Sequence, residues 1–117
     1  MKQTIDAFET IILSAIVTDR SVPDREQVVS ATIQFIDNSR FVAREYIFFD
    51  TGRSKYSYHW MTADSVLIHR WDNAHEVPLP TSPFHQHVGS EENVQPSRPM
   101  TLADVLAFIA ERLVPES

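Results

Sequence analysis

Residues 28–49 read VVSATIQFIDNSRFVAREYIFF, and this stretch decides the predicted fold. In its first half apolar and polar residues alternate, which is typical of a strand with one buried side. The apolar side holds Val29, Ala31, Ile33 and Phe35. Residues 37–39 (DNS) then have turn chemistry, because Asn and Asp tolerate positive φ. Residues 40–49 follow as a second strand, so the stretch predicts a hairpin.

Three further segments predict strands that extend this hairpin. The latter part of residues 10–19 is rich in β-branched residues, and residues 55–62 and 66–71 follow with strand composition. Short turns join these strands, and strands joined in this way pair antiparallel, because parallel neighbours need long crossovers. We therefore predict an α+β fold with an antiparallel meander of about five strands.

The last segment predicts a helix that packs on one face of this sheet. Thr101 is a good N-cap residue, and Asp104 can complete a capping box. The apolar residues recur at helical spacing and form one stripe: Leu102, Val105, Leu106, Ile109 and Leu113. A helix with one apolar stripe needs a surface to cover, and the sheet supplies it.

Residues 72–100 break the strand pattern and predict a long Pro/His-rich loop. The stretch holds five of the seven prolines and three of the five histidines. A connection of this length inside a compact domain is uncommon and is usually functional or mobile.

Composition places the chain in an ordinary class of proteins. Its 117 residues fit one domain, residues 1–117, and there is no cysteine for a disulfide or a thiolate metal site. No apolar run approaches the about 18 residues that cross a bilayer, so we expect no membrane contact and a cytoplasmic location. The net charge of −6 disfavours a surface that attracts phosphate everywhere, but it allows a local basic site.

Charged residues interrupt two predicted strands. Glu45 shares the apolar side of its strand, Arg44 points to the other side, and Arg70 and Asp72 share a side of a later strand. A buried charge needs a partner, so we predict that Glu45 pairs with Arg70. The pair is either a structural ion pair or part of a polar site in which Arg70 binds a phosphate.

The sequence His85-Gln86-His87 places two imidazoles on one side of an extended segment. They could bind a metal with His75 or Asp72, bond the backbone as ordinary loop histidines, or act as acid and base in RNA cleavage by the ribose 2′-hydroxyl. No further metal motif supports the first interpretation. We predict no metal and no cofactor.

An aromatic row lies on the fourth predicted strand. Tyr56 and Tyr58 either stack on nucleic-acid bases or pack beneath the helix, and Trp60 is predicted to be core.

Several motifs taken together resemble the TumE family of bacterial toxins. They are IQFIDNSRFVAREYI (33–47), KYSYHW (55–60), HRWDNA (69–74), PFHQHVGS (83–90) and TLADVLAFIAERL (101–113). They occur in the family's order over about residues 30–113. The chain departs from the family pattern at Trp71, where tyrosine is usual, and at Phe84, which replaces a histidine.

The resemblance implies a toxin that pairs with a DNA-binding antitoxin. Analogy with other small sheet-plus-helix toxins suggests a ribonuclease that needs no metal and acts on RNA, free or on the ribosome. The implied catalytic residues are Glu45, Arg70, Asp72, His85 and His87, and the implied substrate-binding residues are Arg44, Tyr56, Tyr58 and Asn73. The alternative is a non-catalytic module that binds a protein partner or forms a homodimer, because one helix covers only one face of the sheet.

Overall fold

The computed structural model describes residues 1–113, so the last four residues of the predicted 1–117 domain lie outside the described part. Its elements, in chain order, are α1 (Lys2–Asp6), a 3₁₀ turn (Glu9–Ile11), β1 (Ile12–Val22), β2 (Glu26–Phe35), β3 (Arg40–Phe48), β4 (Ser54–Met61), β5 (Leu67–Asp72), β6 (His85–Val88), β7 (Val94–Pro96) and α2 (Leu102–Arg112). The strands form one sheet in chain order, and every neighbouring pair is antiparallel. The predicted meander is therefore confirmed.

The hairpin of residues 28–49 forms as its sequence predicts. Asn38 has a φ of 70°, the left-handed conformation that Asn tolerates well. Ala31, Ile33 and Phe35 are buried on the predicted side of β2, and Phe41 of β3 lies with them. The period-two pattern therefore fixes which side of the sheet faces the core.

Helix α2 packs on that side of the sheet, which we call the helix face. Thr101 and Asp104 form the predicted capping box, with each side chain accepting a hydrogen bond from the other's backbone N–H. Four residues of its apolar stripe are buried: Leu102, Val105, Leu106 and Ile109. Phe108 lies edge-on to Trp71, with ring centroids 5.1 Å apart. We call the opposite side of the sheet the second face.

The prediction of about five strands is wrong, because the described residues 1–113 form seven. Strands β6 and β7 lie within residues 72–100, which were predicted to form a loop. Two histidines, His85 and His87, occupy the buried positions of β6, so the usual apolar signal is missing there. Pro96 fits β7 because this is an edge strand, where a backbone donor is not needed on the outer side.

Candidate functional site

The sheet separates the predicted site residues into two groups. Neighbouring residues of a strand point to opposite faces, so Glu45 lies on the helix face while Arg44 lies on the second face. Tyr56 and Tyr58 join Glu45 on the helix face. The remaining strand residues share the second face with Arg44: Arg70, Asp72, His85 and His87.

The predicted pairing of Glu45 with Arg70 is wrong. Glu45 accepts a hydrogen bond from the Tyr58 hydroxyl on the helix face. Arg70 lies on the other side of the sheet and binds Asp72 and Glu91 instead. The prediction treated each strand separately, and parity within one strand does not fix which face a distant strand presents.

Cross-strand register assembles the second-face group. Asp72 of β5 pairs with His85 of β6, and Arg70 of β5 pairs with His87 of β6. On the other side of β5, Arg70 pairs with His59 of β4. Side chains directly opposite each other in an antiparallel pair lie within contact distance. We call Asp72, His85 and His87 the histidine–aspartate cluster.

His85 is buried with an unusual arrangement of its two ring nitrogens. Nδ1 lies 2.9 Å from the backbone oxygen of Pro83, which can only accept, so Nδ1 carries the hydrogen. Nε2 lies 3.0 Å from Oδ1 of Asp72. The angles there are not those of a hydrogen bond, and this buried nitrogen has no other partner.

His87 has the same orientation but a different partner. Its Nδ1 donates to the backbone oxygen of Glu91 at 2.8 Å, and its Nε2 accepts from Nη2 of Arg70 at 3.1 Å. Nε2 of His87 lies 3.9 Å from Oδ2 of Asp72. Both imidazoles therefore turn their Nε2 atoms toward the same carboxylate.

Arg70 closes the cluster toward solvent. Its Nε donates to Oδ2 of Asp72 at 3.3 Å and its Nη1 donates to Oε1 of Glu91 at 2.7 Å. The Arg70 side chain is 21% exposed, whereas that of His85 is fully buried. Burial, and then the charge of Arg70, lower the pKa of the neighbouring His59. The guanidinium is thus the part of this site that solvent or a ligand reaches first.

The helix-face group lines a separate cleft of about 460 Å³. Its hydrogen bonds are satisfied, because Tyr58 donates to Glu45 and the Tyr56 hydroxyl accepts from the backbone of Met100 at 3.1 Å. Burial, followed by the hydrogen bond to Glu45, raises the pKa of Tyr58 well above its ordinary value. Trp60 is 5% exposed, so its predicted place in the core is confirmed.

Asn73 stands between the two groups, at the end of β5. Its Oδ1 accepts from the backbone N–H of Tyr56 at 2.7 Å, and its Nδ2 donates to the backbone oxygen of Ser54 at 3.5 Å. These bonds hold the loop after β5 against the start of β4. Asn73 also lines the helix-face cleft.

Four residues on or beside the second face were not among the predicted site residues. Tyr46 and Phe48 stack with ring centroids 6.5 Å apart, and Nζ of Lys55 lies 5.9 Å from the Phe48 ring centroid. Strand parity places Tyr46 and Phe48 on the same side of β3 as Arg44. Glu91 had no local signal, because its role depends on how the turn between β6 and β7 folds back onto Arg70.

Comparison with known protein families gives a match over most of the chain. A family model described as Toxin TumE matches residues 1–113. The chain belongs to the TumE toxin family. The predicted resemblance is therefore confirmed. The matched range also includes the first thirty residues, where the sequence motifs gave little support for the family. Comparisons with curated proteins and with solved structures gave no match.

Among residues 1–113, no helix is both long and apolar enough to cross a bilayer.

Proposed function

We propose that this TumE family toxin cleaves RNA on the second face of its sheet and is neutralised by a DNA-binding antitoxin. The observation that supports cleavage is the clustering of Arg44, Arg70, Asp72, His85 and His87 on one face, where phosphate-binding cations meet proton-accepting groups. The toxin family supports the antitoxin partner.

The second face is locally basic although the whole chain is acidic. Five of the ten Lys and Arg residues project from its strands: Arg20, Arg40, Arg44, Lys55 and Arg70. Within the described strands, Glu26 and Asp72 are the carboxylates on this face, and Asp72 is bound by Arg70. Such a surface attracts a phosphate backbone over a short range despite a net charge of −6.

Aromatic side chains on the same face suit single-stranded RNA. Tyr46 and Phe48 are half-buried and lie beside Arg44 and Lys55 in the register of β3 and β4. Bases stack on aromatic rings with little sequence preference, and each stacked base contributes about 1–3 kcal/mol. The combination of cations and aromatic rings favours RNA over a small anion.

The proposed chemistry needs no metal ion. The ribose 2′-oxygen attacks the phosphorus, the bond to the 5′-oxygen breaks, and a 2′,3′-cyclic phosphate remains. The departing 5′-oxygen takes a proton from solvent water and leaves as a 5′-hydroxyl. Arg44 and Arg70 hold the phosphate, and Arg70 releases Nε2 of His87 when it turns toward the phosphate. Nε2 of His87 then accepts the proton of the 2′-hydroxyl, while Asp72 and His85 hold His87 and Arg70 in place.

The direct test is cleavage of a defined single-stranded RNA by purified protein in the presence of a chelator. We expect products that end in a 2′,3′-cyclic phosphate. Arg44→Gln should slow cleavage by about tenfold, in line with the loss of one charge-assisted phosphate contact. Arg112→Gln is the matched control, because Arg112 is an exposed arginine on α2 whose guanidinium lies over the Phe108 ring.

Two results would contradict the ribonuclease proposal. One is the absence of cleavage by folded protein with free RNA and with ribosomes. The other is an equal reduction of the cleavage rate by Arg44→Gln and Arg112→Gln, which would show that the second face has no specific role in cleavage. In cells, induction of the wild-type protein should arrest growth, whereas the His87→Ala variant should not do so when it accumulates to the same level.

A second candidate function is protein binding, and strand β1 favours it. This strand spans 11 residues at the edge of the sheet, and most of it is exposed on both faces. Leu13 and Ile16 are 57% and 70% exposed. An edge strand of this length has free backbone donors and acceptors that can pair with a strand of a partner.

Sedimentation distinguishes the occupants of this edge. A dimer at micromolar concentration that Ile16→Lys dissociates indicates pairing between two copies of the chain. A monomer that binds its antitoxin, with binding lost in the same variant, indicates that the antitoxin adds the strand. Antitoxin binding that Ile16→Lys leaves unchanged argues against either use of β1.

A further inference from the structure

We infer that the histidine–aspartate cluster is a binding site for a divalent transition-metal ion such as Zn²⁺. Asp72, His85 and His87 are all buried, and one potential ligand atom of each lies within 4.8 Å of the others. Two imidazole nitrogens and one carboxylate oxygen form a donor set that Zn²⁺ and its neighbours bind in proteins. This inference concerns the free protein and does not depend on RNA cleavage.

The hydrogen positions on both imidazoles are those that metal ligation requires. Nδ1 of His85 donates to the backbone oxygen of Pro83, and Nδ1 of His87 donates to the backbone oxygen of Glu91. Such bonds fix the tautomer and leave the Nε2 lone pairs free to bind an ion. The backbone thus orients both rings before any ion arrives.

An unpartnered nitrogen points into the site. Nε2 of His85 is buried without a hydrogen-bond partner, and it lies 3.0 Å from a carboxylate oxygen of Asp72. In a neutral imidazole this places a lone pair against a negative oxygen, which is unfavourable in a buried site. A cation between the two atoms would turn that contact into attraction.

The distances fit a small ion. Two ligands at about 2.1 Å from a tetrahedral ion lie about 3.4 Å apart. Nε2 of His85 lies 3.0 Å from Oδ1 of Asp72, and Nε2 of His87 lies 3.9 Å from Oδ2 of the same carboxylate, so the two separations fall on either side of that value. Three protein ligands would leave a position for water, as in catalytic rather than structural zinc sites.

Arg70 holds the place that the ion would take. Its Nη2 donates to Nε2 of His87, and its Nε donates to Asp72. A guanidinium and a divalent cation compete for the same lone pairs and repel each other. The Arg70 side chain is 21% exposed and bonded to the exposed Glu91, so it can swing outward when an ion binds.

The test is calorimetric titration of chelator-treated full-length protein with Zn²⁺. We expect one ion per chain, and we expect His85→Gln and Asp72→Asn to weaken binding by about 100-fold or more. His69→Gln is the control, a histidine on the helix face whose Nε2 is bonded to Gln86, and it should bind as wild type. Arg70→Met should bind about tenfold more tightly, because the competing charge is gone.

A measurement on the wild-type chain covers the case in which a variant does not fold. In the long-range ¹H–¹⁵N spectrum of its imidazoles, Zn²⁺ should shift Nε2 of His85 and His87 and leave His69, on the helix face, unchanged. The inference is overturned by no saturable binding below about 1 mM Zn²⁺, by shifts at other histidines alone, or by equal affinity of wild type and His85→Gln. Weaker binding by folded Arg70→Met would overturn the role of Arg70 as competitor. If the wild-type protein binds Zn²⁺ as expected but does not cleave RNA, the proposed function is wrong and the zinc site stands.

Discussion

The two faces of the sheet each carry a polar cluster, and the clusters differ in how their hydrogen bonds are satisfied. On the helix face, Glu45 and Tyr58 bond each other and Tyr56 bonds the backbone. On the second face, Nε2 of His85 has no hydrogen-bond partner although it is buried. A satisfied network stabilises a core, whereas an unsatisfied buried group calls for a ligand or a chemical role. We therefore propose that the helix-face cluster is structural and that the second-face cluster is functional.

Replacing Asp72 tests the second-face cluster with the largest expected effect. In chelator, Asp72→Ala should lower the free energy of unfolding by about 3 kcal/mol, because it leaves the partly buried Arg70 without one carboxylate. It also removes the acceptor of the Ala74 backbone N–H, which lies 3.2 Å from Oδ1. Urea denaturation followed by circular dichroism measures the loss.

The exposed Asp64 supplies the control for this substitution. Asp64→Ala should change the free energy of unfolding by no more than about 0.5 kcal/mol. If Asp72→Ala is as mild as Asp64→Ala, the ion pairs of Asp72 do not stabilise the fold.

Replacing Tyr58 tests the helix-face cluster in the same way. Tyr58→Phe keeps the ring, which is 2% exposed, but removes the hydroxyl that donates to Glu45. We expect a loss of about 2 kcal/mol, because a half-buried carboxylate loses its donor. Tyr46→Phe, on the second face, should cost less than about 0.5 kcal/mol. Equal stability of the two variants would show that the Tyr58–Glu45 bond does not contribute.

The sequence predicted the helix face well because local patterns determine it. The alternation through Ala31, Ile33 and Phe35, the turn at Asn38 and the capping box at Thr101 are each set by residues close in the chain. Their periods and turn chemistry are the same in any antiparallel sheet capped by a helix. The order of the first five strands and the position of α2 followed from these signals.

The second face was harder to predict because its contacts join distant residues. Arg70 and Glu91 meet only because β5 and β6 pair and the following turn folds back. The strand containing His85 and His87 was missed because histidines fill buried positions that usually hold apolar residues. The presence of histidines at these positions therefore removed the strand signal and also supplied the imidazoles of the cluster. The residues of the cluster were predicted, but their separation from Glu45 was not.

Alkaline pH should weaken the helix-face cluster gradually. Burial and the Glu45 hydrogen bond raise the pKa of Tyr58 above the unfolded value of about 10. Its contribution to stability is therefore present below pH 10 and is lost as the pH rises above that value. Urea denaturation at intervals from pH 8 to pH 11 should show this decline, with a shallower slope for Tyr58→Phe. Parallel curves for the two proteins would contradict the raised pKa.

Replacing His85 should have the smallest effect on stability and the sharpest effect on function. His85→Leu removes the bond from Nδ1 to the Pro83 backbone, which destabilises, and also removes the unpartnered Nε2 beside Asp72, which stabilises. These terms oppose each other, so we expect a change below about 1 kcal/mol in chelator. The same variant should lose zinc binding and slow RNA cleavage. A stable but inactive His85→Leu protein would show that this histidine is kept for its chemistry, whereas a loss above about 3 kcal/mol would make the second-face cluster as structural as the helix-face cluster.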